Sequence, residues 1–160
     1  MSDGQESVGT DLDLRTSKRN RILGNQIEIT DILLGQGAYG GVYLAKDENN
    51  NNFAVKCCNA TKYGIPNILE TSIMTGILHP YLNSALRIQA TESRLYITQE
   101  AALTDLAYHT RSNKNNYKPN VEELRKWCAC LAQAVEALHE NNVIHAAIKS
   151  SNVLLYEDGN

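Results

Sequence analysis

Leu34-Gly35-Gln36-Gly37-Ala38-Tyr39-Gly40-Gly41-Val42 is the stretch that decides how this chain folds. Glycine stands at the first, third and sixth places of a G-x-G-x-x-G pattern, with Gly41 and Val42 directly after it. A backbone without Cβ atoms can turn tightly and lie close to a ligand. Its N–H groups can then face phosphate oxygens. Taken alone, the pattern fits a glycine-rich hairpin turn as well as it fits a nucleotide loop.

The flanks choose the backbone. Residues 27–32 alternate apolar and polar, which predicts a strand with one buried face. Residues 42–45 read as the return strand, and residues 47–52 as an Asn-rich turn suited to Asx and left-handed geometry. Phe53-Ala54-Val55-Lys56-Cys57-Cys58 is a third strand, giving an antiparallel meander. A dinucleotide loop leads from a strand into a helix, which is not the pattern here. A Walker A loop needs Gly-Lys-Ser/Thr, which is also absent.

Further along, residues 65–78 carry Ile68, Leu69, Ile73, Ile77 and Leu78 at helical spacing, with Glu70 as their one acid, and stop at His79-Pro80. Residues 85–89 and 95–99 predict two more strands, and residues 103–110 a short helix before a polar loop at 112–116. Residues 121–140 predict a long helix. Val121, Leu124, Cys128, Leu131, Val135 and Leu138 form one apolar stripe on it, expected in the core, and Asn141-Asn142 ends it. A polar loop then lies between Val143-Ile144 and Val153-Leu154-Leu155, and residues 157–160 have the composition of a hairpin turn.

The totals exclude several classes. A chain of 160 residues can build one domain with a real core. A net charge of -3 gives no electrostatic reason to expect nucleic acid. No apolar run approaches membrane-spanning length, so no membrane partner is expected. Cys57, Cys58, Cys128 and Cys130 lack zinc-ligand spacing and read as reduced, mostly buried thiols of an intracellular, cytoplasmic protein. Residues 1–21 are polar, with Arg15, Lys18, Arg19 and Arg21, and are expected to form a disordered leader.

Set in order, the glycine hairpin, Phe53-Ala54-Val55-Lys56, a helix with Glu70, and the 95–100 strand precede a long helix and His145-Ala146-Ala147-Ile148-Lys149-Ser150-Ser151-Asn152. From about Ile22 onward this resembles the N-terminal part of a eukaryotic-type Ser/Thr protein kinase. The resemblance implies an α+β fold. A five-stranded antiparallel N-lobe sheet with one helix would occupy residues 22–102, hinge included. The first helices and catalytic loop of an incomplete helical C-lobe would occupy 103–160. It implies ATP and Mg²⁺ as cofactors and a protein hydroxyl as acceptor. Residues Gly35, Gln36, Gly37, Ala38, Tyr39, Gly40, Gly41 and Val42 would cover the phosphates. Leu34, Val42 and Ala54 would enclose the adenine, and Lys56 would hold the α- and β-phosphates with Glu70 as its partner. Gln99 would guard the back of the adenine pocket. The backbone of Glu100, Ala101 and Ala102 would meet the adenine edge, and Asn152 would ligate Mg²⁺. Asp105 would contact the ribose or, on the local reading, cap a helix.

The chain departs from the H-R-D-x-K-x-x-N pattern. Its His145, Lys149 and Asn152 match, but Ala147 stands at the place of the proton-accepting aspartate and Ala146 at that of the arginine. The resemblance implies severely reduced phosphotransfer, because a methyl group neither accepts a proton nor orients a hydroxyl. No D-F-G segment follows within these residues, leaving Asn152 as the one expected Mg²⁺ ligand and the 121–138 stripe short of packing partners. Two functions stay open: a crippled or substituted kinase, and a non-catalytic pseudokinase module that binds a substrate or partner kinase.

Overall fold

The computed structural model describes residues 21–22, 27–37, 40–59, 64–112 and 118–156. The expected leader up to residue 20, Ala38 and Tyr39 of the glycine stretch, the 113–116 loop and the 157–160 turn lie outside the described residues. The chain divides into two compact units. The first runs to Asn67 and takes in Arg87–Thr98; the second holds Ile68–Leu86 and Gln99–Asn160.

In the first unit, β2 (Ile27–Gly37) and β3 (Gly40–Asp47) form the glycine hairpin, and β4 (Asn52–Asn59) pairs antiparallel with β3. The sheet order is β1-β2-β3-β4-β6-β5, with β1 (Arg21–Ile22) at one edge and β5 (Arg87–Ala90) antiparallel to β6 (Arg94–Glu100) at the other. The five expected strands are thus all present, β2 to β6. A two-residue β1 (Arg21–Ile22) joins their edge and pairs Arg21, the last residue of the expected leader, with Ile29. Alternation fixes the core: Ile29, Tyr43, Ala45, Val55 and Cys57 are buried together, with Ile27, Phe53 and Tyr96 packed against them.

The β3–β4 turn is built as its composition predicts. Asp47 Oδ1 accepts the N–H groups of Asn49 and Asn51, each at 2.9 Å, and Asn50 takes a left-handed φ of 63°. The side-chain amide of Asn51 donates to Asp47 Oδ2, and this bond above all holds the carboxyl below its usual range. Beyond Ile29, β2 shifts register twice. Thr30 Oγ1 fills the gap by donating to the Leu44 carbonyl at 2.8 Å and accepting from Ile32 N–H.

In the second unit, α1 (Gly64–Gly76) takes up the expected helix from Ile68 onward. Its end is closed by Ala85, whose N–H donates to the Met74 carbonyl at 3.1 Å. That bond takes Ala85 out of the strand expected at 85–89, and β5 starts at Arg87 instead. The helix expected at 103–110 is α2 (Leu106–Ser112). The residues before it form β7 (Thr104–Asp105), paired with β8 (Leu154–Leu155).

The long helix, α3 (Val121–Glu140), begins with a capping box, Asn120 Oδ1 accepting from Glu123 N–H while the Glu123 carboxylate accepts from Asn120 N–H. It ends at Asn141, and Asn142 follows at a left-handed φ of 57°. The stripe expected in the core is only partly there. Ala134 and Leu138 are buried and Trp127 half-buried, but Val121 is 61% exposed, Leu124 44% and Cys128 exposed as well. The buried face lies toward Trp127 and Ala134, and Trp127 packs edge-on against His109 of α2 with ring centroids 6.2 Å apart. The expectation of mostly buried thiols therefore holds for Cys57 and Cys58 and fails for Cys128.

Candidate functional site

The glycine hairpin is shaped by the register of its strands. Gly35 lies opposite Val42, Gln36 opposite Gly41, and Gly37 opposite Gly40. Gly40 has a φ of +147°, and a Cβ there would run into the Cys57 carbonyl. Gly41 is hemmed in by the Tyr43 ring. Gly40 is therefore demanded by the fold, and a Cβ on Gly41 would need the Tyr43 ring to shift. Gly35 is different: a Cβ on it would meet nothing within 4 Å.

The same ladder sorts the neighbouring side chains. Val42 is the Cα partner of Lys56, and Ala54 lies two residues before Lys56. All three are half-buried on the sheet face opposite Tyr43, Val55 and Cys57. The structure thus brings together Val42, Ala54 and Lys56, with Leu34 49% exposed at the mouth of the hairpin.

The second unit carries the other predicted residues. Glu70 is half-buried on α1. Gln99, near the end of β6, donates its side-chain N–H to the Asn83 carbonyl at 2.9 Å. Ala101 and Ala102 follow outside any helix or strand, and among the described residues the backbone N–H of Ala102 has no partner. A half-buried amide in that position needs water or a ligand. Asp105 Oδ1 accepts the Tyr108 N–H at 2.9 Å and so caps α2. Asp105 also pairs with Leu154 across β7 and β8. Sequence reading gave Leu154 no role, yet the ladder sets this half-buried apolar side chain beside Asp105.

The loop before β8 is ordered by its own side chains. Ala147 N–H donates to His145 Nδ1 at 3.3 Å, and Asn152 Nδ2 donates to the Ala147 carbonyl at 2.8 Å. Asn152 therefore presents Oδ1 as its remaining oxygen, a hard donor suited to a divalent cation. Between these anchors Ala146 takes a left-handed φ of 58°, which costs an L-residue about 1 kcal/mol. Ala147 and Lys149 are exposed. The bonds that set this backbone use His145, Asn152 and main-chain atoms, not the side chain at 147.

Tyr156, just past β8, is the most perturbed group described. Burial, then the Glu100 carboxylate, pushes its phenol up to about 12 from the usual 10.0. A phenol raised on folding supports stability below pH 10, and that support is lost as pH climbs toward 12. In an absorbance titration at high pH one phenol should ionise near 12, and Glu100→Gln should lower it only in part, because burial is the larger cause. A midpoint near 10 in the folded protein would contradict this placement of Tyr156.

Among the described residues no group of three His, Cys, Asp or Glu side chains could hold a metal, and no helix is long and apolar enough to cross a membrane. Compared with known proteins, residues 29–160 match the protein kinase domain family. The chain is 28% identical over 144 residues to the serine/threonine-protein kinase CST20 of Candida albicans, covering 85% of this chain and 11% of that one. It is 27% identical over 149 residues to the serine/threonine-protein kinase kin-29 of Caenorhabditis elegans, covering 89% and 18%. It is 29% identical over 131 residues to CBL-interacting protein kinase 28 of Oryza sativa subsp. japonica, covering 78% and 29%. The chain spans less than a third of the length of each of these relatives.

Proposed function

This chain belongs to the protein kinase family, and from that premise we propose that it holds ATP with Mg²⁺ but transfers phosphoryl groups poorly, for want of a base at Ala147. The observation that carries the proposal is the 2.8 Å bond from Asn152 to the Ala147 carbonyl. A loop held in that geometry has a use for Asn152 Oδ1, while the methyl of Ala147 leaves the acceptor hydroxyl without its proton acceptor.

The residues fit the nucleotide. Gly35 leaves room for a ligand at the hairpin, and Val42, Ala54 and Leu34 offer apolar surface to a base. The Ala102 N–H and the Glu100 carbonyl suit an adenine edge. Lys56 would neutralise phosphate charge, supported by Glu70, and Asp105 would reach the ribose with the oxygen not used on Tyr108. Gln36, Gly37, Gly40 and Gly41 shape the lid above the phosphates. Asn152 Oδ1 would hold Mg²⁺, which when bound draws charge from the phosphate oxygens. Lys149 would stabilise charge on the transferring group.

Isothermal titration with Mg-ATP tests the reading. Saturable heat, lost in Lys56→Met and competed by adenosine, is expected; no heat at millimolar nucleotide would end it.

A second reading is a non-catalytic module that docks on a kinase substrate or on another kinase. The uncovered flank of α3, with Val121 61% exposed, favours it. A pull-down that recovers chaperones alone would count against this reading. Intracellular placement is part of the proposal and is supported by four cysteines in the thiol form.

A further inference from the structure

We infer that Gln99 is a positioning residue, a strap that ties the end of β6 to helix α1 and so sets the place of Glu70. The inference deepens the nucleotide reading, since it concerns the acid proposed to support Lys56.

The path is continuous within the second unit. Gln99 Nε2 donates to the Asn83 carbonyl at 2.9 Å. Two residues on, Ala85 N–H donates to the Met74 carbonyl at 3.1 Å in the last turn of α1. Met74 lies one helical turn beyond Glu70, on the same side of α1. The segment between is stiffened by bonds of its own. Leu82 N–H donates to the His79 carbonyl at 3.0 Å, Tyr81 N–H donates to His79 Nδ1 at 3.3 Å, and the rings of His79 and Tyr81 meet edge-on. Ser84 Oγ lies 3.4 Å from the Leu82 carbonyl and 3.5 Å from that of Ile77.

A side-chain amide is well suited to this task. Its N–H satisfies a half-buried loop carbonyl that has no partner in a helix or sheet, so one end of α1 is held by a bond from the strand that leads into the hinge. An apolar side chain of equal length at 99 would leave that carbonyl unpaired.

The test has two arms. In the first, amide hydrogen exchange is followed at Ala85 in Gln99→Met and Gln99→Glu. Glu keeps the size but faces the Asn83 carbonyl with an acceptor. Loss of one bond in the strap should speed Ala85 exchange about tenfold while the Val55 amide keeps its protection. Unchanged exchange at Ala85 in a variant with a normal melting profile would overturn the inference.

The second arm is a double-mutant cycle read by Mg-ATP affinity. Gln99→Met should weaken binding about three- to tenfold when Glu70 is present and cause no further weakening in the Glu70→Gln background. Equal weakening in both backgrounds would show that Gln99 does not act through Glu70. If the unaltered chain binds no Mg-ATP, the nucleotide reading fails and the exchange arm alone decides the strap.

Discussion

Gly40→Ala should lower the unfolding free energy by about 3 kcal/mol, whereas Gly35→Ala should leave it unchanged or slightly raised. The two glycines belong to one motif, but the backbone treats them differently. Gly40 sits at φ +147°, and any Cβ there drives into the Cys57 carbonyl of the neighbouring strand. That oxygen belongs to the centre of the sheet, between buried Val55 and buried Cys58, so it has little freedom to retreat. For a chain of this size the loss corresponds to a melting temperature lower by about 6–12 °C. At Gly35 a Cβ meets nothing, and alanine restricts the unfolded chain. Its cost should fall on nucleotide affinity instead, through bulk at the ligand-facing surface. Urea melts followed by circular dichroism, paired with Mg-ATP titrations, separate the two effects. Equal destabilisation by both substitutions would refute the division between a glycine kept for the fold and a glycine kept for the ligand.

That division shows what a sequence pattern conveys. The G-x-G-x-x-G spacing and the period-two alternation of residues 27–32 specify a hairpin, and the strands on either side form as the alternation requires. Val42 and Lys56 fall on one face because a two-strand register fixes it, so this part of the site could be read from spacing. Long helices with caps are equally plain: Val121–Glu140 begins and ends where Asn120 and Asn141 place it. What was hidden depends on partners distant in sequence. Trp127 meets His109 of α2 while Val121 and Leu124 face outward, and no periodicity within the helix contains that information. The pairing of Asp105 with Leu154 joins residues far apart in the chain, which is why Leu154 had no role in the sequence reading. The Gln99 bond to Asn83 is invisible for the same reason. A local signal did exist for Asp105, whose acid just ahead of a helix announces the cap it forms on Tyr108.

Ala147→Asp should raise the rate of phosphoryl transfer by about 10²–10⁴-fold without altering the affinity for Mg-ATP. The backbone is already prepared for it. Ala147 N–H is held by His145, its carbonyl is held by Asn152, and Ala146 just before it takes a left-handed φ of 58°. None of these bonds uses the side chain at 147, so a carboxylate can be added without rebuilding the loop. Ala147 is also exposed, so the new charge carries no burial cost that would distort its pKa or destabilise the fold. The carboxylate would stand where it can accept the hydroxyl proton, in reach of the Lys149 charge that follows it by two residues. Ala147→Asn is the matched control, equal in shape and unable to act as a base, and it should stay at the parent rate. The measurement is transfer of labelled phosphate to casein by the native product carrying this chain, with each variant assayed at saturating nucleotide. If aspartate and asparagine give the same rate, the missing base is not what limits the chemistry, and the non-catalytic docking reading becomes the stronger of the two.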